Sequence, residues 1–152
     1  MKGEKGPAAA EIHGDASSRR VLERCRRPLR AGSLDPLDPA VGTGQAGNAG
    51  SGDLIRIQVR VREGRVIEEA RFKVFGCGSS IASASLAAEW AIGSTLEEAL
   101  EIRSTRIARE LELPASRIRC SILAEAALRA AVEDYLGKSE ALAWETYSGG
   151  TG

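Results

Sequence analysis

The chain has 152 residues, 43% of them hydrophobic, and its 21 basic and 21 acidic side chains leave no net charge. That is one domain's length with enough apolar content for a core, an aliphatic one because aromatics make up only 4%. Charge balance argues against nucleic acid or an anionic membrane surface as the main partner, and no apolar run approaches the ~18 residues a membrane span needs.

Residues 1–16, rich in Lys, Gly, Ala and Glu, are expected to form a disordered leader. No apolar stretch follows Lys2 and Lys5, so no secretory signal is expected. Ser17 or Ser18 is placed to cap a short basic helix over 19–27 that stops at Pro28. From 31 to 52 the chain is crowded with Gly, Pro, Asp, Asn and Ser and reads as a long loop. Strict alternation follows: Ile55, Ile57, Val59 and Val61 interleave with Arg56, Gln58, Arg60 and Arg62, the period of a strand with one wet face. Glu63-Gly64 signals a tight turn. The next run puts Val66, Ala70, Phe72 and Val74 on one face, with Glu68 breaking the pattern. The two runs make an antiparallel hairpin, which needs a cover because a lone hairpin is marginal in water.

Helices supply that cover. The first spans 79–91, Ala/Ser-rich with Ile81, Leu86 and Trp90 as its large apolar residues; Thr95-Leu96-Glu97-Glu98 is a capping box opening a short one. Another covers 104–111, and a last runs over about 120–136 with Ile122, Leu123, Ala126, Ala130, Val132 and Tyr135 near one stripe. Residues 138–152 are expected as a flexible tail. The expected fold class is α+β, a small antiparallel β-sheet packed by helices, in a single domain over 17–137.

Three cysteines, Cys25, Cys77 and Cys120, are an odd and sparse set, unlike a disulfide framework and suited to a reducing cytoplasm. The single histidine, His13, lies in the leader, which excludes a histidine-rich metal site or a His-dependent triad from the folded core. Cys77 sits between Gly76 and Gly78, where a strand gives way to a helix. A helix N-terminus favours thiolate there. A small buried packing residue is the alternative, disfavoured because flanking glycines cost chain entropy without adding contacts. Cys120 stands beside Arg119 at another helix entry and reads as an exposed, reactive thiolate; Cys25, among arginines, reads as structural or incidental. Asp53 is either a turn or capping residue or a carboxylate shared with the cysteines. The glycines of Gly42-Thr43-Gly44 and Gly47-Asn48-Ala49-Gly50 precede a strand and lack a following Gly-Lys-Ser/Thr, so they do not form a nucleotide loop.

The stretches Gly32-Ser33-Leu34-Asp35, Ala70-Arg71-Phe72-Lys73, Gly76-Cys77-Gly78-Ser79, Ile81-Ala82-Ser83, Glu110-Leu111-Glu112-Leu113-Pro114 and Cys120-Ser121-Ile122-Leu123-Ala124-Glu125 occur in one order with compatible spacing. So do Asp38-Pro39 and Val41-Gly42-Thr43-Gly44. In these the chain resembles the IscU/NifU N-terminal family of iron–sulfur cluster assembly scaffolds. The resemblance implies a scaffold domain rather than an enzyme, holding iron, zinc in its place, or a labile 2Fe-2S cluster near a sheet end. It implies a cysteine desulfurase as sulfur source, an Hsp70-type chaperone with its co-chaperone, and acceptor apo-proteins. The implied ligands are Cys77, Cys120 and Asp53. The family's chaperone-read Leu-Pro-Pro-Val-Lys is here Leu113-Pro114-Ala115-Ser116-Arg117, and its His-Tyr-x-Asn-Pro is Arg24-Cys25-Arg26-Arg27-Pro28.

Two ligand positions are degenerate. Ser51 stands where the family has a cysteine, and Arg119 where it has a histidine. Neither replaces what it lost: serine does not ionise near neutrality and a guanidinium keeps its proton. A four-ligand zinc site is worth roughly 10–16 kcal/mol, or about 3–4 kcal/mol per ligand. Losing two ligands then implies a one-chain site weaker by about four to five orders of magnitude. Three readings follow: a divergent scaffold in which Cys77 and Cys120 of two protomers share a cluster and Arg119 offsets its charge; a sulfur-transfer protein taking persulfide on Cys120; or a decayed paralogue that serves only as an interaction module.

Overall fold

In the computed structural model of the protein, residues 18–48, 50 and 52–151 are described, with side chains as far as Leu142. The leader expected over 1–16 and the degenerate position Ser51 lie outside the described residues. Ser18 caps helix α1, Arg19–Arg26, by accepting the Val21 N–H. Strands β1 (Val41–Asn48), β2 (Asp53–Arg62) and β3 (Val66–Phe75) form an antiparallel sheet in the order β1-β2-β3. Helices α2 (Gly78–Ala91), α3 (Leu96–Ala99), α4 (Ser104–Leu111) and α5 (Ile118–Thr151) complete the fold, with a 3₁₀ turn at Ala115–Arg117. The class is the expected one, α+β with helices packed on a small antiparallel sheet.

The hairpin forms as its alternation requires: Ile55, Ile57 and Val59 are fully buried and Val61 nearly so. Its second strand follows a different register from the simple alternation. Arg60 pairs with Glu69 but Val61 pairs with Ile67, so Glu68 is an extra residue in a β-bulge. The break in pattern at Glu68 is that bulge, and it turns Ile67 rather than Val66 into the core. The capping box forms at Thr95, whose side chain and N–H exchange hydrogen bonds with Glu98.

β1 corrects the expectation of an unbroken loop over 31–52. Gly42 and Gly44 are there for contact with α5, which lies directly on the strand. A Cβ at Gly42 would sit 2.1 Å from the Ala131 carbonyl oxygen, and one at Gly44 would sit 2.3 Å from that of Ala127. The helix face that meets the strand is Cys120, Ala124, Ala127, Leu128, Ala131 and Val132, all buried. That is a corrected stripe: Ile122 and Ala126 point to solvent, because small residues, not large ones, suit a helix seated on backbone.

α5 also continues where a flexible tail was expected, past Gly137 to Thr151. Its side chains serve the strand on the way. Asp134 accepts the Thr43 N–H at 2.9 Å, and Lys138 donates to the carbonyls of Pro36 and Val41 at 2.7 and 2.8 Å. No described helix is long and apolar enough to cross a membrane.

The seating of α5 predicts that Gly44→Ala destabilises by about 3 kcal/mol, the upper range for overpacking, measured as a fall in the urea midpoint at unchanged slope. A loss under about 0.5 kcal/mol, the size of an inert surface change, would show that the helix rides higher than this.

Candidate metal and sulfur site

The register of the hairpin builds the site. Leu54 pairs with Phe75, so Asp53 lies beside Gly76, where the chain leaves β3 for α2. Only glycine fits there: a Cβ at Gly76 would come within 2.4 Å of Asp53 Oδ1. Cys77 follows as the N-cap residue of α2. Cys120 is brought alongside by the first turn of α5. One carboxylate oxygen and the two sulfurs all lie within 4.8 Å of one another. Cys77 Sγ and Cys120 Sγ are 3.7 Å apart.

A residue that the sequence reading missed joins them. Ser80, fully buried, donates to Asp53 Oδ1 at 2.7 Å and lies 3.3 Å from Cys120 Sγ and 3.7 Å from Cys77 Sγ. Its signal was its place three residues after the cap, where a first-turn side chain faces back toward the helix entrance. Asp53 Oδ1 also accepts the Cys77 N–H at 3.3 Å, while its other oxygen takes Arg119 at 2.5 Å. Burial by itself would raise the Asp53 pKa; the Ser80 hydroxyl, the Cys77 N–H and the Arg119 guanidinium together outweigh it and hold the carboxyl below its ordinary value.

The two thiols share one proton unequally. Cys77, half-buried, is lowered to about 5, first because Cys120 donates a hydrogen bond to its thiolate and further by the α2 entrance through Ser80. Cys120 is raised, since that same hydrogen bond and its burial both hold the proton on it. The pair therefore gives up its first proton easily and its second reluctantly. This corrects the expectation of an exposed, reactive Cys120: its relative exposure is 0%, and the accessible nucleophile is Cys77. Cys25 is buried, donates from its Sγ to the Gly78 carbonyl at 3.2 Å, and is raised to about 11 by burial and by the charge of Cys77. It supports the start of α2, in keeping with a structural role.

Residues 16–141 match the family model described as NifU-like N terminal domain. The chain belongs to that family. It is 52% identical over 123 residues to the protein named iron-sulfur cluster assembly scaffold protein IscU of Azotobacter vinelandii, a match covering 81% of this chain and 96% of the relative. The protein of the same name from Escherichia coli (strain K12) is 48% identical over 126 residues, covering 83% of this chain and 98% of that one. Among solved structures, a putative iron-sulfur cluster assembly scaffold protein for the SUF system, from thermophilic Fervidobacterium islandicum AW-1, superposes with a TM-score of 0.60. Its identity is 20% and the match covers 76% of this chain and 95% of that one, a likeness of fold.

Arg119, at the position where the resemblance implies a histidine, is paired with Asp53. The stretch Leu113-Pro114-Ala115-Ser116-Arg117 forms the connection and 3₁₀ turn just before α5, with Ala115 and Ser116 exposed.

With iodoacetamide, Cys77 is expected to alkylate first, while Cys25 and Cys120 react only after denaturation. Because a low pKa leaves the thiolate present above it and removes it below, the rate should be level from about pH 7 to 9 and fall about tenfold by pH 4. Peptide mapping assigns the site. A rate still climbing through pH 8–9 would show an ordinary thiol.

Proposed function

We propose that the chain is an iron–sulfur cluster assembly scaffold that holds iron and sulfide, or a 2Fe-2S cluster, on Cys77, Cys120 and Asp53 and passes it to acceptor apo-proteins. The observation that carries this reading is the convergence of two sulfurs and a carboxylate oxygen within 4.8 Å at one end of the sheet. Thiolates suit iron and zinc, and a carboxylate can complete either. Membership of the NifU-like family, and relatives named as assembly scaffolds, support it. On this reading the protein works in the cytoplasm and is not an enzyme in the ordinary sense. Its sulfur comes from a cysteine desulfurase, and an Hsp70-type chaperone with its co-chaperone reads the 113–117 segment.

Three donors from one chain leave a metal short of four. A cluster shared by Cys77 and Cys120 of two protomers would require Cys120 at the surface, and in this conformation it is sealed. A metal is therefore held within one chain, with Asp53 released to it when Arg119, about half exposed, swings into solvent. The accessible Cys77 thiolate also favours sulfur uptake, at Cys77 rather than Cys120, as part of the same reaction.

Anaerobic reconstitution with ferrous iron and sulfide, followed by visible absorption, tests this. Cys77→Ala should lose the chromophore, or weaken zinc binding by a few hundredfold, the share of one ligand. Uptake unchanged by Cys77→Ala would overturn the scaffold reading. Restoring the degenerate positions together, Ser51→Cys with Arg119→His, should strengthen binding by at least about a hundredfold over the parent, read by competition with a chromophoric chelator; no gain would mean that the parent site already has its full ligand set.

A further inference from the structure

Cys77 and Cys120 stand at the separation that two thiolates on one tetrahedral metal have, about 3.7–3.8 Å, and that same spacing lets the two sulfurs react with each other when no metal lies between them. At 3.7 Å their sulfurs are in van der Waals contact, near the roughly 3–3.5 Å of a near-attack arrangement. The contact is asymmetric. Cys120 lies wholly inside the protein, and Cys77 opens partly to solvent. A sulfur atom delivered to Cys77 from outside therefore extends outward, away from Cys120. The buried sulfur is left facing the back of the new S–S bond.

We propose that Cys77 and Cys120 are a resolving pair: sulfur received on Cys77 as a persulfide is released as sulfide when Cys120 attacks the Cys77 Sγ and closes an intramolecular disulfide. This rests on the reading of the chain as a receiver of sulfur for cluster assembly. The bond that forms joins the two Sγ atoms, and the bond that breaks joins Cys77 Sγ to the outer sulfur. That outer sulfur takes the electron pair and leaves as hydrosulfide, reduced at the expense of the two thiols, which become the disulfide. The proton of Cys120 ends on the departing sulfur, and Ser80 Oγ, 3.3 Å from Cys120 Sγ and 2.7 Å from Asp53 Oδ1, is placed to donate to the Cys120 sulfur as it becomes thiolate. The donor is any persulfidated thiol that reaches Cys77, and an external dithiol restores the pair. Ser80 is a positioning residue here, since it touches both sulfurs and the carboxylate but gains and loses no bond to sulfur.

Cys25 is the competing resolving thiol. Its Sγ is engaged with the Gly78 carbonyl at 3.2 Å, and it falls outside the group of atoms that converge with Cys77. The two alternatives predict different cross-linked peptides.

The test uses the reduced, metal-free full chain treated with one equivalent of glutathione persulfide in the absence of iron. Released sulfide is measured colorimetrically and the protein by intact mass and peptide mapping. The expected result is close to one sulfide per chain and a Cys77–Cys120 disulfide within a monomer. Cys120→Ser should hold the added sulfur on Cys77 and cut release by at least about tenfold. Ser80→Ala, which keeps both thiols, should slow release while leaving uptake intact. Sulfur retained on the wild-type chain, a cross-link to Cys25 or between two chains, or undiminished release from Cys120→Ser would each overturn the proposal. Because iron is absent, the two readings fail separately. Cluster formation on a chain that releases no sulfide would sink this inference and spare the scaffold, whereas release from a chain that takes up no iron would do the reverse.

Discussion

A single buried carboxylate ties together the three elements that make the site. Asp53 opens β2, accepts from the backbone and the first turn of α2, and receives Arg119 from the first turn of α5. Its side chain is 5% exposed, so each of those donors stands in for water that it has lost. The Arg119 partner is half in solvent and the ion pair by itself contributes only about 0–1 kcal/mol. The hydrogen bonds from Ser80 and the Cys77 N–H, made to a charged and buried acceptor, are the stronger ties at about 1.5–3 kcal/mol each. The positions of both sulfurs follow from satisfying this one group.

The same arrangement sets the charge. A thiolate at Cys77 and the carboxylate of Asp53 face each other across a few ångströms, with Arg119 as the compensating cation and the α2 entrance as a second source of positive potential. A second thiolate has no compensation left, which is why Cys120 keeps its proton. A divalent ion entering the site would supply that compensation itself, and it would let both sulfurs ionise at once. The guanidinium is then redundant.

Much of this was legible in the chain. Alternation of Ile55, Ile57, Val59 and Val61 gave the strand, the glycines around Cys77 located the turn into α2, and the motif set gave the family. Three things were not. β1 hid among glycines because its strand character comes from α5, a partner about 90 residues away, rather than from its own side chains. The stripe of α5 differs from the expected one for the related reason that alanine, not leucine or isoleucine, fills an interface where helix and strand backbones touch. The depth of Cys120 differs from the expected one because a helix entrance beside an arginine normally faces water; here the half-exposed Arg119 folds its guanidinium back onto Asp53 and Cys120 turns in. Ser80 was in plain view. Its place three residues after the cap aims it at the helix entrance, but that the two sulfurs and the carboxylate meet there is set by the fold rather than by local spacing.

Among the described residues no further strand pairs with the outer margin of β1, and such a margin is an invitation to another chain's backbone. Here the outward N–H of Thr43 is given to Asp134 and the outward carbonyl of Val41 receives Lys138, both from α5. Two rungs of the ladder that a foreign strand would climb are already occupied by carboxylate and ammonium. The helix that fixes the cysteine thus also blunts the sheet's open flank against templated aggregation, which matters most for a strand so poor in side chains of its own.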